Sequence, residues 1–232
     1  MFRFKQFAIR QENAAMKVGT DGALLGAWSD VSNAKNILDI GTGTAIIAMM
    51  VAQRNKNAKI TAIEIDEKAI IDANFNVSNC PWTDRIDIIQ SSLQNFNSSA
   101  KFDSIISNPP FFENSLKSNS GEKIKARHTD SLHYSDILDF SSKQLNENGI
   151  LHLILPVENA KKCIDSAKEK GLYLKRVCTV KPVPHKDAHR LVFELSKIKS
   201  TPITESLIIE TGKRHDYSQD YIALTKAFYT IM

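Results

Sequence analysis

The sequence predicts an α/β protein, a mainly parallel sheet covered by helices. Three observations predict it. Short apolar or β-branched runs alternate with amphipathic helical stretches, glycines stand at several of the junctions, and the 232 residues contain no apolar run of the ~20 residues needed to cross a bilayer. The length suits one large domain, with a basic N-terminal segment over residues 1–30 and the α/β core over 31–232. Hydrophobic content of 42% and charged content of 24% exclude disorder, collagen and coiled coil.

The elements follow in order. NILDI (36–40) is an apolar strand closed by Gly41, and TAIIAMMVAQR (44–54) has helical length and composition. KITAIEI (59–65) is a second strand, followed by a helical pattern from Asp66 through Val77. RIDIIQ (85–90) and FDSIIS (102–107) are strands, and a polar stretch without regular period occupies 112–130. YSDILDFSSKQLNE (134–147) has a helical pattern that Gly149 would stop, and ILHLILP (150–156) is a buried strand. VENAKKCIDSAKEK (157–170) places apolar residues at 157, 160, 164 and 167 and ends at Gly171, as an amphipathic helix should. LYLKRVCTV (172–180) and RLVFELS (190–196) complete seven strands, joined by KPVPHKDAH (181–189).

Three cysteines, Cys80, Cys163 and Cys178, form no C-x-x-C, so neither a disulfide framework nor a cysteine zinc site is expected, and no metal is. The N-terminus MFRFKQFAIRQEN alternates polar and apolar residues, unlike a signal peptide; the expected location is the cytoplasm, with no membrane partner. Charge is uneven: residues 1–20 carry +3, residues 21–155 carry −4, and residues 156–232 carry +5. Basic flanks around an acidic middle suit a polyanion, although a solvated Lys-rich surface would have the same composition. A monomer is compatible with the sequence, which leaves the oligomeric state open.

In parallel sheets, ligands bind beyond the carboxyl ends of the strands. Asp39-Ile40-Gly41-Thr42-Gly43-Thr44-Ala45 leaves the first strand and opens a helix, its glycines allowing a tight turn and close approach of a ligand. Glu64, at the next strand end, can accept hydrogen bonds from both hydroxyls of a ribose. Together they point to a nucleoside-bearing cofactor. A dinucleotide site asks for G-x-G-x-x-G, but the sixth position here is Ile46, whereas D-x-G-x-G is the pattern of enzymes using S-adenosylmethionine. NAD is thus the weaker of two readings.

Asn108-Pro109-Pro110-Phe111 follows the strand FDSIIS. An amine conjugated to a ring or carbonyl has a partly delocalised lone pair. The Asn108 side-chain carbonyl and the Pro109 backbone carbonyl could each accept one N–H of such an –NH₂ group. The prolines would fix the backbone so that the two acceptors converge, and Phe111 would stack on a planar substrate. Catalysis of this kind is orientation and electrostatics without a protein nucleophile. The plain alternative for Pro-Pro is a rigid turn.

These motifs resemble the class I methyltransferases that modify exocyclic or amide nitrogens: Asp39-Ile-Gly-Thr-Gly is similar to their motif I, Glu64 to motif II, Asn108-Pro-Pro-Phe111 to motif IV, and Lys17-Val-Gly-Thr20-Asp21-Gly22 to motif X. More narrowly, MKVGTDGALLGAW (16–28), DIGTGT, AIEID, NPPF, ARHTDSL (126–132) and YSQDYIALTKAFY (217–229) resemble the bacterial tRNA1(Val) (adenine-37-N6) methyltransferases. The resemblance implies a Rossmann-like seven-stranded sheet with helices on both faces, S-adenosylmethionine as cofactor and S-adenosylhomocysteine as product. It implies that Thr20, Asp21, Asp39, Gly41, Gly43, Glu64 and Asn108 serve the cofactor. Where many relatives have an acidic residue after the third strand, this chain has Ser91-Ser92-Leu93, so the adenine contact falls to a hydroxyl such as that of Ser92 or to the backbone. Asn108, Pro109 and Phe111 would hold the target amine and ring.

The –NH₂ of adenine and that of a protein glutamine are both bonded to sp² carbon, so the tetrad alone does not separate them. A protein-glutamine N5-methyltransferase usually carries an additional N-terminal helical domain, for which a motif X beginning at Lys17 leaves no room. A DNA enzyme would bring a sizeable target-recognition domain. A tRNA loop offers unstacked bases to a pocket with a basic apron, in which Lys17, Phe112, Arg127, His128 and Arg190 are the expected substrate contacts. A non-catalytic nucleotide- or RNA-binding module would use the cofactor half without the tetrad.

Overall fold

The computed structural model describes residues 1–110 and 132–230. A two-stranded antiparallel hairpin, β1 (Phe2–Arg3) and β2 (Ala8–Ile9), precedes helix α1 (Thr20–Trp28). The body then runs β3 (Asn36–Ile40), α2 (Ile46–Arg54), β4 (Lys59–Glu64), α3 (Glu67–Ser78), β5 (Ile86–Gln90) and β6 (Phe102–Ser107). Beyond residue 131 come α4 (Tyr134–Gln144), β7 (Leu145–Pro156), α5 (Val157–Glu169), β8 (Tyr173–Lys181), β9 (Arg190–Ser196), β10 (Ile203–Ile208) and α6 (Gln219–Thr225).

The main sheet has the order β10-β8-β9-β7-β6-β3-β4-β5. Strands β7, β6, β3, β4 and β5 are mutually parallel, β9 is antiparallel to both β7 and β8, and β10 is parallel to β8. The chain winds outward from β3 to β5, then returns to place β6 on the other side of β3. The carboxyl ends of β3 and β6 therefore meet at the point where the winding reverses, the position at which open α/β sheets bind ligands.

Residues alternate between the faces as the pleat requires: Ile37 belongs to the same core cluster as Leu25 of α1 and Met50 of α2, while its neighbour Leu38 belongs to a second cluster with Leu138 of α4 and Cys163 of α5. Helices α1, α2 and α3 thus cover one face and α4 and α5 the other. Helix α1 is buried along the whole of Gly22–Trp28, so it shows no polar stripe.

The sheet has eight strands, one more than the seven expected. The addition, β10, is an edge strand of sequence ITESLI, largely solvent-facing and paired only with β8. Its polar Thr204, Glu205 and Ser206 hide the pattern. A second correction concerns residues 145–149. The helix expected over 134–147 stops at Gln144, because Leu145 is fully buried and pairs with Phe102 of β6. Gly149 does not terminate a helix; it sits in the irregular stretch between the Phe102–Leu145 and Ser104–Ile150 pairs. A Cβ there would come within 2.9 Å of Leu145 Cδ2 and 3.0 Å of the Phe102 carbonyl oxygen.

A ladder of charges crosses the antiparallel half beneath α1. His152 of β7 lies 3.3 Å from Glu194 of β9, and Arg176 of β8 lies 3.5 Å from the same carboxylate. Arg176 also makes two hydrogen bonds, of 3.0 and 3.1 Å, to Glu205 of β10. The guanidinium stacks 4.0 Å from the Trp28 ring centroid, and the indole N–H donates to Glu205 at 2.8 Å. Burial pushes the Glu194 carboxyl up, but His152 and Arg176 outweigh it and hold the pKa below its ordinary value.

Candidate active site

At the carboxyl ends of β3, β4, β5 and β6 lies a cavity of about 300 Å³, the lower end of the range for small-molecule sites. Its floor is the turn after β3, where Gly41 (φ +68°), Gly43 (φ +57°) and Ala45 (φ +64°) are all left-handed. A Cβ on Gly43 would meet nothing within 4 Å, so its α-carbon opens onto free space.

The turn consumes its own backbone donors. Gly41 and Thr42 N–H groups donate to the Ile63 carbonyl at 2.9 and 3.0 Å, Gly43 N–H donates to Glu64 Oε2 at 2.8 Å, and Ala45 N–H donates to Thr42 O at 2.9 Å. None of these four amides is left for a pyrophosphate. Glu64 Oε1 accepts from Ile65 and Asp66 N–H at 2.9 and 3.0 Å, which fixes the carboxylate at the rim while lone pairs remain for hydroxyl donors. The described lining includes the carboxylates of Glu64 and Asp66 and no Lys, Arg or His. Among the described lining residues the formal charges are all negative, which favours a cationic ligand over a phosphorylated one.

Asn108 stands on the opposite wall, immediately after β6. The strand end is tied to its neighbour by the Ser107 hydroxyl, which donates to the Ile40 carbonyl at 2.9 Å. Asn108 lines the cavity, and its Oδ1 is buried with no hydrogen-bond partner among the described residues. A buried acceptor without a donor carries a desolvation cost of about 1–3 kcal/mol, which an incoming N–H would relieve. Pro110 lines the cavity, whereas Pro109 is buried and is not part of the lining.

The third wall comes from the N-terminal segment. Ala14, Ala15 and Met16 line the cavity. They are held there by α3: the fully buried Asp72 carboxylate accepts from Arg10 Nε (2.9 Å), Asn13 N (2.7 Å), Asn13 Nδ2 (2.9 Å) and Ala14 N (2.9 Å). Asn76 bonds both ways with the Arg10 backbone, and its amide also reaches the Thr44 carbonyl at 3.0 Å. One helix therefore fixes both the strap over residues 10–16 and the glycine turn. Burial acts to raise the Asp72 pKa, but hydrogen bonds from Ala14, Arg10 and Asn13 prevail and hold it at about 2.

The expected residues divide as follows. Gly41, Gly43, Glu64, Ser92 and Asn108 all line the cavity, as does Ser91 beside Leu93. Asp39 does not; it is buried beneath the turn, where it accepts the Thr42 hydroxyl at 2.6 Å. Burial raises its pKa to about 7 against the effect of that bond. Thr20 and Asp21 begin α1 outside the lining, and Asp21 is paired with Arg190 at 2.8 Å, so a residue expected at the cofactor and one expected at the substrate meet each other instead. Lys17 donates to the Gln11 and Ala14 carbonyls at 2.5 and 2.9 Å and so braces the strap. Phe111, Phe112, Arg127 and His128 lie outside the described residues. Of ARHTDSL only Leu132 is described, and it lines the cavity 3.4 Å from where a Gly41 Cβ would stand. Asp72, Asn76 and the Ala14–Met16 wall were not anticipated, because their partners are some 60 residues apart in sequence.

Comparison with known proteins gives the family. The methyltransferase small-domain family matches residues 19–164, and the chain belongs to that family. It is an enzyme of the methyltransferase class. Over full length it is 45% identical to the tRNA1(Val) (adenine(37)-N6)-methyltransferase of Trichodesmium erythraeum, covering 98% of this chain and 97% of the relative. It is 42% identical to the protein of the same name from Pseudoalteromonas translucida, covering 100% and 99%. The fold is also that of methyltransferases: a predicted O-methyltransferase from Agrobacterium tumefaciens superposes with a TM-score of 0.68 at 20% identity, over 90% of this chain and 96% of that one. The precorrin-6y C5,15-methyltransferase of Geobacter metallireducens superposes with a TM-score of 0.53 at 13% identity, over 84% and 94%. Among the described residues no helix is long and apolar enough to cross a membrane.

Proposed function

We propose that the protein transfers a methyl group from S-adenosylmethionine to N6 of adenine-37 in tRNA1(Val), in the cytoplasm. One observation carries the reading: Asn108 lines a cavity floored by Gly41, Gly43 and Glu64, and its buried Oδ1 has no hydrogen-bond partner among the described residues. The cavity fits the cofactor on its own terms. Its carboxylates suit a sulfonium, its open Gly43 face admits close approach, and its saturated turn amides disfavour the pyrophosphate of NAD. Glu64 would accept the ribose hydroxyls, and the Ser91–Leu93 segment would receive the adenine. When bound, S-adenosylmethionine supplies an electrophilic methyl group.

The protein's own part is orientation. Asn108 Oδ1 accepts one N–H of the exocyclic amine; the Pro109 carbonyl, expected as the second acceptor, belongs to a buried residue outside the cavity lining. Holding an N–H bond in an acceptor helps to draw the lone pair out of conjugation and aim it at the cofactor side of the cavity. The proton released on methylation passes to water. The relatives' printed substrate supports adenine over a glutamine amide.

The test incubates the protein with methyl-labelled S-adenosylmethionine and tRNA lacking the modification, then digests the RNA and identifies the labelled nucleoside. Label in N6-methyladenosine at position 37 is the expected result. Cofactor binding without label in RNA, together with label in a purified release factor, would transfer the assignment to a protein amide.

A further inference from the structure

We infer that a basic ridge at the far end of the same sheet edge grips the phosphates of the RNA stem next to the target base. The inference rests on the tRNA reading above. Strand β9 is antiparallel to β7, with Arg190 opposite Pro156, and β8 is antiparallel to β9, with Val180 opposite Arg190. Strand β8 and its parallel neighbour β10 therefore both end at the edge that carries Asn108 and the glycine turn. The segments leaving them, 181–189 and 209–218, are joined by the Ile209 N–H to Lys181 O and Glu210 N–H to Pro182 O bonds, each 2.9 Å. They present one surface.

The second segment is a built hairpin. Glu210 and Tyr217 form an antiparallel bridge, Thr211 N–H donates to Asp216 O at 2.8 Å, and Asp216 N–H donates to Lys213 O at 3.1 Å. Its two carboxylates, on half-buried Glu210 and exposed Asp216, accept hydrogen bonds from the hairpin itself. Glu210 Oε1 accepts the His215 N–H at 2.9 Å, and Asp216 Oδ2 accepts the Thr211 hydroxyl. That pairing helps to hold His215 at φ +65° and leaves Lys213, Arg214 and His215 exposed at the tip. Exposed His185 and Lys186, and half-exposed Lys181, stand on the adjoining segment, with Asp187 the acid among them. No carboxylate among the described residues lies within ion-pair distance of Lys181, Lys186, Lys213 or Arg214.

A hairpin whose two carboxylates accept from its own Thr211 hydroxyl and His215 N–H, and whose Lys213 and Arg214 face water outside any ion pair among the described residues, offers those cations to an anion larger than a metabolite. Its placement says which part of an RNA it meets. Strand β10 is four positions from β6 in the sheet, about 19 Å at ~4.8 Å per strand. That distance spans several stacked nucleotides at roughly 3.4 Å each. A base delivered to Asn108 would leave the ridge against the backbone of the stem, where phosphate contacts position the protein without reading sequence.

The test compares wild type with a Lys213→Glu/Arg214→Glu double variant and a milder Lys213→Gln/Arg214→Gln variant, neither of which alters Gly212 or His215. Substrates are an anticodon stem-loop and a short single-stranded oligonucleotide of the loop alone. The charge-reversed variant should bind the stem-loop at least about tenfold more weakly, and the slope of log affinity against log salt should fall by about 1 for each phosphate that the variant no longer neutralises. S-adenosylmethionine affinity, thermal midpoint and turnover of the short oligonucleotide should be unchanged, and the Gln variant should fall between. Unchanged stem-loop affinity and salt slope in a folded variant would overturn the ridge while leaving the tRNA reading intact, as would equal losses on both substrates. Wild-type protein that methylates no RNA would overturn both.

Discussion

The two halves of the sheet on either side of β6 share one edge and differ in how their residues are held there. In the parallel half, each functional group stands at a strand end and is fixed by neighbours close in sequence or on the adjacent strand: Gly43 by Glu64 of β4, and Asn108 by the proline after it and by Ser107 before it. In the antiparallel half, the polar residues lie mid-strand and are fixed by one another, through the ladder from His152 to Glu205, and by Trp28 of α1. The parallel half is arranged around a ligand it can bind. The antiparallel half is arranged around a buried carboxylate it must neutralise. Damage to the first should appear as lost chemistry, and damage to the second as lost stability.

The sharpest separation is expected at Asn108. Asn108→Ala removes the buried acceptor, and turnover should fall about 10²–10³-fold, the scale seen when one preorganised polar contact to the reacting group is removed. Calorimetric binding of S-adenosylmethionine should change little. A variant that kept wild-type turnover would remove the orientation mechanism altogether.

Glu194 is the counterpart in the antiparallel half. Glu194→Ala takes the carboxylate neighbour from the buried His152 ring and leaves Arg176 with Glu205 alone, and losing hydrogen bonds to a charged group costs about 1.5–3 kcal/mol. Denaturant unfolding should show the loss, and cofactor affinity measured in the folded fraction should not. Reduced affinity at unchanged stability would mean that the two halves are coupled more tightly than their packing indicates.

Glu64→Ala should weaken S-adenosylmethionine binding by about 10–100-fold, the worth of hydrogen bonds to a charged acceptor at about 1.5–3 kcal/mol. Part of that loss would come from Gly43, whose N–H loses its partner. Saturating cofactor should recover most of the turnover, and failure to recover it would assign Glu64 a part in the chemistry.

The contrast between the halves also explains what could be read from the sequence. The glycine turn, Glu64 and Asn108 were legible because their chemistry demands particular residue types at strand ends, and strand ends are marked by periodicity; Ser92 was reached only through the family resemblance. Strands β3 through β6 emerged within a residue of their bounds for the same reason. Edge strand β10 was not legible, because an exposed edge needs no apolar run. Asp21 was expected at the cofactor and Arg190 at the substrate, yet they pair with each other at 2.8 Å across 169 residues, and no local pattern announces it. Asp72 was invisible in the same way: a carboxylate on a helix resembles a solvated one until Arg10, Asn13 and Ala14 are folded over it.

Asp72 and Asp39 permit the smallest but most discriminating test, because two buried carboxylates behind the cavity wall, one under the strap and one under the turn, have shifts of opposite sign. Asp72 is held at about 2, below the ordinary 3.8, so its network contributes stability above pH 3.8 that is lost as pH falls toward 2. Asp72→Asn should therefore be less stable than wild type at neutral pH, with the gap narrowing between pH 4 and 2. Its S-adenosylmethionine affinity should also fall as the Ala14–Met16 wall loosens. Asp39 is raised to about 7, so between pH 3.8 and 7 the folded protein retains a proton that the unfolded chain has released, and stability declines as pH rises through that window. Asp39→Asn lacks the titration, and its stability relative to wild type should climb from pH 4 to 7. Thermal midpoints of the two variants, each subtracted from wild type at matched pH, isolate the two groups from every other titration. Parallel curves would mean that burial alone governs both sites, and that the hydrogen bonds from the strap to Asp72 contribute nothing to holding the cavity wall.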